Sequence, residues 1–185
     1  MTQLSSSSVK RLISILKNIN VIKFGSFLLK DGSLSKVYID LRILPNFPKE
    51  FKEVTKIIAN YVSADTEINP FDGIIAPPIA GIPLGVALAL QLDKEYYLAR
   101  LKPKTHGTMK LIEGDIANKR ILLVDDVFTT GESKAPLLRA IRDHGGKVNS
   151  LIVVVNRTLK EEKITQFEEF NQVKIHYLLS MEDLI

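Results

Sequence analysis

The sequence contains no cysteine and no tryptophan. The missing cysteines exclude disulfides, thiolate zinc centres and cysteine nucleophiles. No apolar run approaches the ~20 residues of a membrane-spanning helix. Residues 1–20 hold no signal-peptide core, because Lys10, Arg11 and Lys17 interrupt the apolar positions. A cytoplasmic protein with no membrane partner is expected. Concentrated basic runs, internal repeats, low-complexity tracts and linkers are also missing, so residues 1–185, 45% hydrophobic, are expected to form one domain with a substantial core. The net charge of +4 and the pI near 9.2 are mild. Without a basic stripe they fit an anionic small substrate better than nucleic acid.

Two common phosphate-binding signatures, Gly-x-x-x-x-Gly-Lys-Ser/Thr and Gly-x-Gly-x-x-Gly, are absent too. What is present is Ile121-Leu-Leu-Val-Asp-Asp-Val-Phe-Thr-Thr-Gly-Glu-Ser133. Ile121 to Val124 is too short for a helix and suits a strand buried on both faces. Asp125 and Asp126 are expected to end that strand, since adjacent carboxylates are poor strand formers and cannot be buried unpaired. Val127 to Ser133 reads as a tight loop in which Gly131 is free to take a positive φ. Leu137, Leu138 and Ile141 recur at helical spacing, predicting a helix from near Ser133 to about His144, stopped by Gly145-Gly146. Strand, paired acids, loop and helix N-terminus together make an anion cradle, with backbone N–H groups and the hydroxyls of Thr129, Thr130 and Ser133 as donors. The carboxylates are placed to accept hydrogen bonds from the vicinal hydroxyls of an attached sugar. An ordinary strand-to-helix turn with two solvated acids fits the same residues.

Elsewhere the chain alternates strands and helices. Ser7 or Ser8 can cap a first helix over residues 9–20. Phe27 to Lys30 and Val37 to Leu41 predict a hairpin turning at Asp31-Gly32. A helix follows Pro48, and a buried strand spans Gly73 to Ala76. Pro77-Pro78 and Pro83 force a turn before a helix that runs to Leu92, and Gly81 permits close backbone approach to a ligand. Glu95 to Arg100 reads as a strand leading into the basic loop Arg100-Leu-Lys-Pro-Lys-Thr-His-Gly-Thr108. That loop either attracts a pyrophosphate or is a solvated charged turn. Lys110 to Gly114 returns from it. Val148 to Val155 is a second strongly apolar strand ending in Asn156-Arg157, at the sheet edge where ligands of open α/β folds collect. A surface ion pair would account for Arg157 equally well. Lys163 to Phe170 is helical, and Val173 to Leu178 is a last strand. The pattern predicts an α/β fold with a mostly parallel central sheet flanked by helices.

Over its whole length, Ile121 to Ser133 resembles the motif of the type I phosphoribosyltransferases that binds 5-phosphoribosyl 1-pyrophosphate (PRPP). Phe27-x-Leu-Lys-x-Gly followed by Ser35-x-x-Tyr-Ile-Asp-x-Arg42 is similar to the N-terminal segment of the orotate phosphoribosyltransferases, with Lys36 where most members have Pro. Arg100, Lys104 and His106 match that family's catalytic loop, while Leu101 stands at the place of a family lysine. The resemblance covers about residues 20–185. It implies the type I phosphoribosyltransferase fold, with residues 1–45 as a hood-like, base-binding segment and 46–185 as the core. It implies transfer of the phosphoribosyl group of PRPP to orotate, giving orotidine 5′-monophosphate and pyrophosphate with Mg2+. It assigns PRPP contacts to Lys30, Arg100, Lys104, His106 and to Asp125, Asp126, Val127, Phe128, Thr129, Thr130, Gly131, Glu132 and Ser133. Pyrophosphate falls to Pro78, Ile79, Ala80 and Gly81, and orotate to Lys30, Tyr38, Thr129 and Arg157. Catalysis is assigned to Asp125, Asp126, Lys104 and His106, with no direct protein ligand to the metal. A homodimer with shared active sites is implied as well. A PRPP-sensing regulator of the same fold and a transferase for another nucleobase remain the alternatives.

Overall fold

The computed structural model describes residues 4–28, 34–100, 111–158 and 160–184. Helix α1, Ser6–Asn18, starts earlier than its apolar stripe implies, because Ser5 is the cap and its side chain accepts from the Ser8 N–H. Ser7 and Ser8 therefore lie inside the helix. Strands β1, Ile22–Leu28, and β2, Leu34–Ile39, pair antiparallel, with an irregularity between Phe24 and Phe27. The expected turn at Asp31-Gly32 lies outside the described residues. A short 3-10 helix, Leu41–Asn46, leads into α2, Pro48–Ala64, where Pro48 occupies the first turn and its missing N–H costs nothing.

The remainder is a five-stranded, all-parallel sheet with its covering helices. Its strands are β3, Gly73–Ala76; β4, Glu95–Leu98; β5, Arg120–Phe128; β6, Lys147–Asn156; and β7, Lys174–Ser180. Helices α3, Gly81–Leu92; α4, Ala135–Asp143; and α5, Glu161–Asn171, connect them. The spatial order is β4-β3-β5-β6-β7. After β3 the chain first runs outward to β4, then returns to lay β5 on the other side of β3. This reversal opens a crevice beyond the carboxyl ends of β3 and β5.

Alternate residues of each strand enter two separate cores, which is why the strands read as unbroken apolar runs. Ile74, Leu122, Val124, Ile152 and Val154 pack with α1, α2 and α3, whereas Ile75, Leu123, Leu151, Val153 and Ile175 pack with α4 and α5.

Strands β1 and β2 start at Ile22 and Leu34, earlier than the expected Phe27 and Val37, and two further strands differ from the sequence expectation. Strand β4 ends at Leu98, and Ala99 instead makes an isolated antiparallel bridge to Ile112, so the return strand reduces to that bridge. Strand β5 does not stop at the acids. It continues through Asp125, paired with Val153, to Phe128, paired with Asn156. Asp125 is only 4% exposed, and a counter-charge makes that burial possible.

Candidate active site

The counter-charge is Lys134. Its Nζ lies 2.5 Å from Asp125 Oδ2, donates to the Val127 carbonyl at 2.8 Å and reaches Ser133 Oγ at 3.2 Å. Lys134 is itself 5% exposed and stands at the N-cap of α4. A cation there opposes the helix dipole, which favours negative charge at that end. The residue makes sense only through Asp125, and this misplaced charge was the available clue to a group that the sequence reading did not assign. Asp125 is thus a buried structural carboxylate as well as a candidate site residue.

Asp126 behaves differently. It is half-buried and its Oδ1 accepts from the Val127 N–H at 2.7 Å, while its own N–H donates to Asp125 Oδ1 at 2.9 Å. Burial first, and the neighbouring Asp125 charge second, push its carboxyl up to about 7, against the weaker pull of Lys134. Two adjacent acids are therefore held apart in character: one neutralised by lysine, the other disposed to accept a proton, a hydroxyl donor or a cationic neighbour.

The loop beyond β5 is fixed from below. Gly131 has φ +80°, and a Cβ there would sit 2.0 Å from the Phe167 ring of α5. Phe167 in turn meets the buried Phe128 ring edge-on at 5.1 Å. Phe128 therefore serves the core and can offer a ligand only its backbone. The Gly131 carbonyl accepts from the N–H groups of Lys134 and Ala135, closing the loop onto α4. Thr129, Thr130, Glu132 and Ser133 remain exposed on the outer side of this turn, while Val127 is half-buried.

The loop after β3 meets the same place. A Cβ on Gly81 would lie 2.8 Å from Asp125 Oδ1 and 3.2 Å from the Val124 carbonyl. The close approach predicted for Gly81 is therefore to Asp125. Pro78 and Ala80 are half-buried beside it, and Ile79 is exposed.

The 3-10 helix that follows the N-terminal hairpin and carries Arg42 packs against β5. Arg42 donates to Asp40 Oδ1 and Oδ2 at 2.6 and 2.9 Å and to the Tyr38 hydroxyl at 2.9 Å. Tyr38 also packs its ring on Phe27, with centroids 5.4 Å apart. Arg42 is held above its ordinary value chiefly by Asp40, with smaller contributions from Tyr38 and from Asp126. Arg42, given no role by the sequence reading, thus connects the hairpin with the paired acids.

At the end of β6, the Arg157 N–H donates to the Phe128 carbonyl at 2.9 Å, and the Thr158 hydroxyl donates to the Thr129 carbonyl. The half-buried Arg157 therefore stands beside the loop that follows β5. Arg100 has a different setting: its guanidinium pairs with Glu113 at 2.7 Å, and its N–H donates to the Leu111 carbonyl. It clasps the two ends of the basic loop. Lys30, Leu101, Lys104 and His106 lie outside the described residues, whereas Lys36 lies within β2.

The phosphoribosyl transferase domain family matches residues 42–176. Orotate phosphoribosyltransferase of Pyrococcus abyssi is 36% identical over 95% of this chain and 94% of its own length. The enzyme of the same name from Saccharolobus solfataricus is 35% identical over 92% of this chain and 84% of its length. The crystal structure of orotate phosphoribosyltransferase from Aeropyrum pernix superposes with a TM-score of 0.77 at 26% identity, covering 94% of this chain and 96% of that one.

Proposed function

The chain belongs to the orotate phosphoribosyltransferases within the type I phosphoribosyltransferase family, and on that premise we propose how its residues transfer the phosphoribosyl group of PRPP to orotate. What supports the assignment of roles is that the 3-10 helix bearing Arg42, which bonds Tyr38 of the hairpin, packs against β5, while Arg157 bonds the end of β5, next to the loop read as a phosphate cradle. The exposed hydroxyls of Thr129, Thr130 and Ser133, with the first turn of α4, bind the 5′-phosphate. Asp125 and Asp126 take the ribose hydroxyls. The loop from Pro78 to Gly81 holds the pyrophosphate, and Arg157 with Tyr38 and Lys30 holds orotate.

Breaking the bond from C1 to pyrophosphate leaves an oxocarbenium-like ribose and a highly charged leaving group. Negative field from the carboxylates is most useful where positive charge develops. An Asp126 that is uncomfortable as a lone anion gains more from that developing charge than a solvated carboxylate would. Lys104, His106 and Arg100 stand for the pyrophosphate side, and the enzyme acts as a cytoplasmic homodimer.

Magnesium fits this donor set through water. Asp125 has one oxygen on Lys134 and the other on the Asp126 N–H, so it is poorly placed to ligate the ion directly, and PRPP oxygens and water would supply the ligands that magnesium prefers. When bound, it would neutralise charge on the departing pyrophosphate.

Initial rates with orotate, uracil, hypoxanthine and xanthine, each with PRPP and magnesium, test the reading. Turnover of orotate alone is expected. Turnover of another base in its place, or PRPP binding without any turnover, would overturn it.

Arg157→Ala should raise the KM for orotate roughly ten- to a hundredfold, the loss of one charge-assisted hydrogen bond, and barely move the KM for PRPP. Equal effects on both substrates would make Arg157 a structural residue.

Shared sites give a second expectation. Asp126→Asn and Lys104→Ala proteins, each inactive, should recover about a quarter of wild-type activity when mixed. Half of the dimers are then hybrids, and one of their two sites is intact. Verified subunit exchange without recovery would place the basic loop in its own subunit's site.

A further inference from the structure

At the edge strand β7, two strands away from β5 in the sheet, three potential metal ligands converge. Asp65 caps the C-terminus of α2, Glu67 follows in the turn toward β3, and His176 is the third residue of β7. One ligand atom from each lies within 4.8 Å of the other two. His176 is 0% exposed, and neither of its ring nitrogens has a hydrogen-bond partner. An imidazole buried with both nitrogens unsatisfied is costly and calls for an occupant.

We propose that Asp65, Glu67 and His176 form a binding site for a divalent transition-metal ion of the zinc class, which fastens the edge strand β7 to the end of α2. The chemistry favours such an ion over magnesium, since imidazole suits zinc and its neighbours whereas magnesium selects oxygen ligands and keeps its water. Asp65 is oriented beforehand: its Oδ1 accepts from the N–H groups of Glu67 and Ile68 at 2.8 and 3.3 Å. The Glu67 carbonyl is held by the Ser150 hydroxyl of β6 at 3.3 Å. Around zinc, ligands at about 2.0–2.1 Å stand about 3.3 Å apart in a tetrahedron, so the trio must draw together by up to about 1.5 Å. Glu67, the exposed member, supplies both that movement and the route of entry. Water would complete the shell, and the site is separate from the PRPP cleft because β7 is the edge strand, two strands from β5, and Asp65 stands at the far end of α2.

The test uses the full chain, stripped with EDTA and free of PRPP, titrated with zinc chloride or magnesium chloride. Bound metal is counted after gel filtration, and the ring nitrogens of the three histidines are followed by imidazole 15N–1H correlation. One zinc per chain, displacement of the His176 ring resonances and a raised Tm are expected, with no His176 response to magnesium. His176→Ala should abolish uptake. Because that core change can also unfold the chain, the deciding variant is Glu67→Gln, an exposed substitution that should weaken zinc binding roughly 10- to 100-fold. No uptake of zinc, uptake that leaves the His176 resonances unmoved, or equal affinity in Glu67→Gln would each overturn the proposal.

Discussion

Asp126→Asn should lower kcat/KM by roughly two to three orders of magnitude while leaving the chain folded, and near pH 8 it should be more stable than the wild type. The first half follows from removing a carboxylate that we propose faces a developing positive charge, for which losses of about 10²- to 10³-fold are typical of single preorganised groups. The second half follows from its protonation. In the unfolded chain an aspartate titrates at about 3.9. In the folded protein Asp126 is pushed up to about 7. Between those values the folded state holds a proton that the unfolded state has released, so stability falls as pH rises through the window and stays lower above it. Asparagine removes that loss. The stability advantage of the variant should therefore be present at pH 8 and fade as the pH drops toward about 4. Urea melts at several pH values decide it: an advantage that does not change with pH would mean that Asp126 is not held protonated by its surroundings. Retention of more than about a tenth of wild-type turnover, a change below ~1.4 kcal/mol, would remove Asp126 from the chemistry.

Lys134→Met should produce the larger structural effect. It leaves the Asp125 carboxylate buried without its counter-charge, and breaking a buried pair from one side costs about 3–5 kcal/mol. For a chain of this length that corresponds to a fall in Tm of roughly 6–20 °C. Asp125→Asn should be damaging for the mirror-image reason, so the two acids differ: Asp126 can be neutralised at little structural cost and Asp125 cannot. Combining Lys134→Met with Asp125→Asn removes both charges, and the double variant should be clearly more stable than the sum of the single losses. Simple additivity in a double-mutant cycle would show that the 2.5 Å contact carries no energy.

The same pair shows what was legible in the sequence. Ile121 to Val124 announced a buried strand, and Leu137, Leu138 and Ile141 announced the helix after the loop, because hydrophobic periodicity is a local signal. The order of elements and the placement of the paired acids, of Gly131 and of Arg157 followed from it. The extent of β5 did not. Two aspartates end a strand unless something neutralises them, and the neutralising group is a lysine that belongs to the next helix. Its pairing is visible only once the loop has folded back. Gly81 was read as a position for close backbone approach to a ligand, whereas the neighbour that a side chain there would meet is Asp125 of β5. The places of Arg42 and His176 are equally long-range: one depends on the 3-10 helix packing against β5, the other on β7 reaching the end of α2.

The two bonds between the end of β6 and the loop after β5 also have a thermodynamic consequence. Through them the Phe128 and Thr129 carbonyls, in the stretch proposed for the phosphorylated sugar, are splinted to Arg157 and Thr158, in the stretch proposed for the base. A ligand that steadies one stretch lowers the entropy still to be lost by the other, so the second ligand binds to a partner already ordered. The substrates should therefore assist each other. Reciprocity then sets the size of the effect from both sides: whatever factor PRPP contributes to the affinity for orotate, orotate must return to the affinity for PRPP.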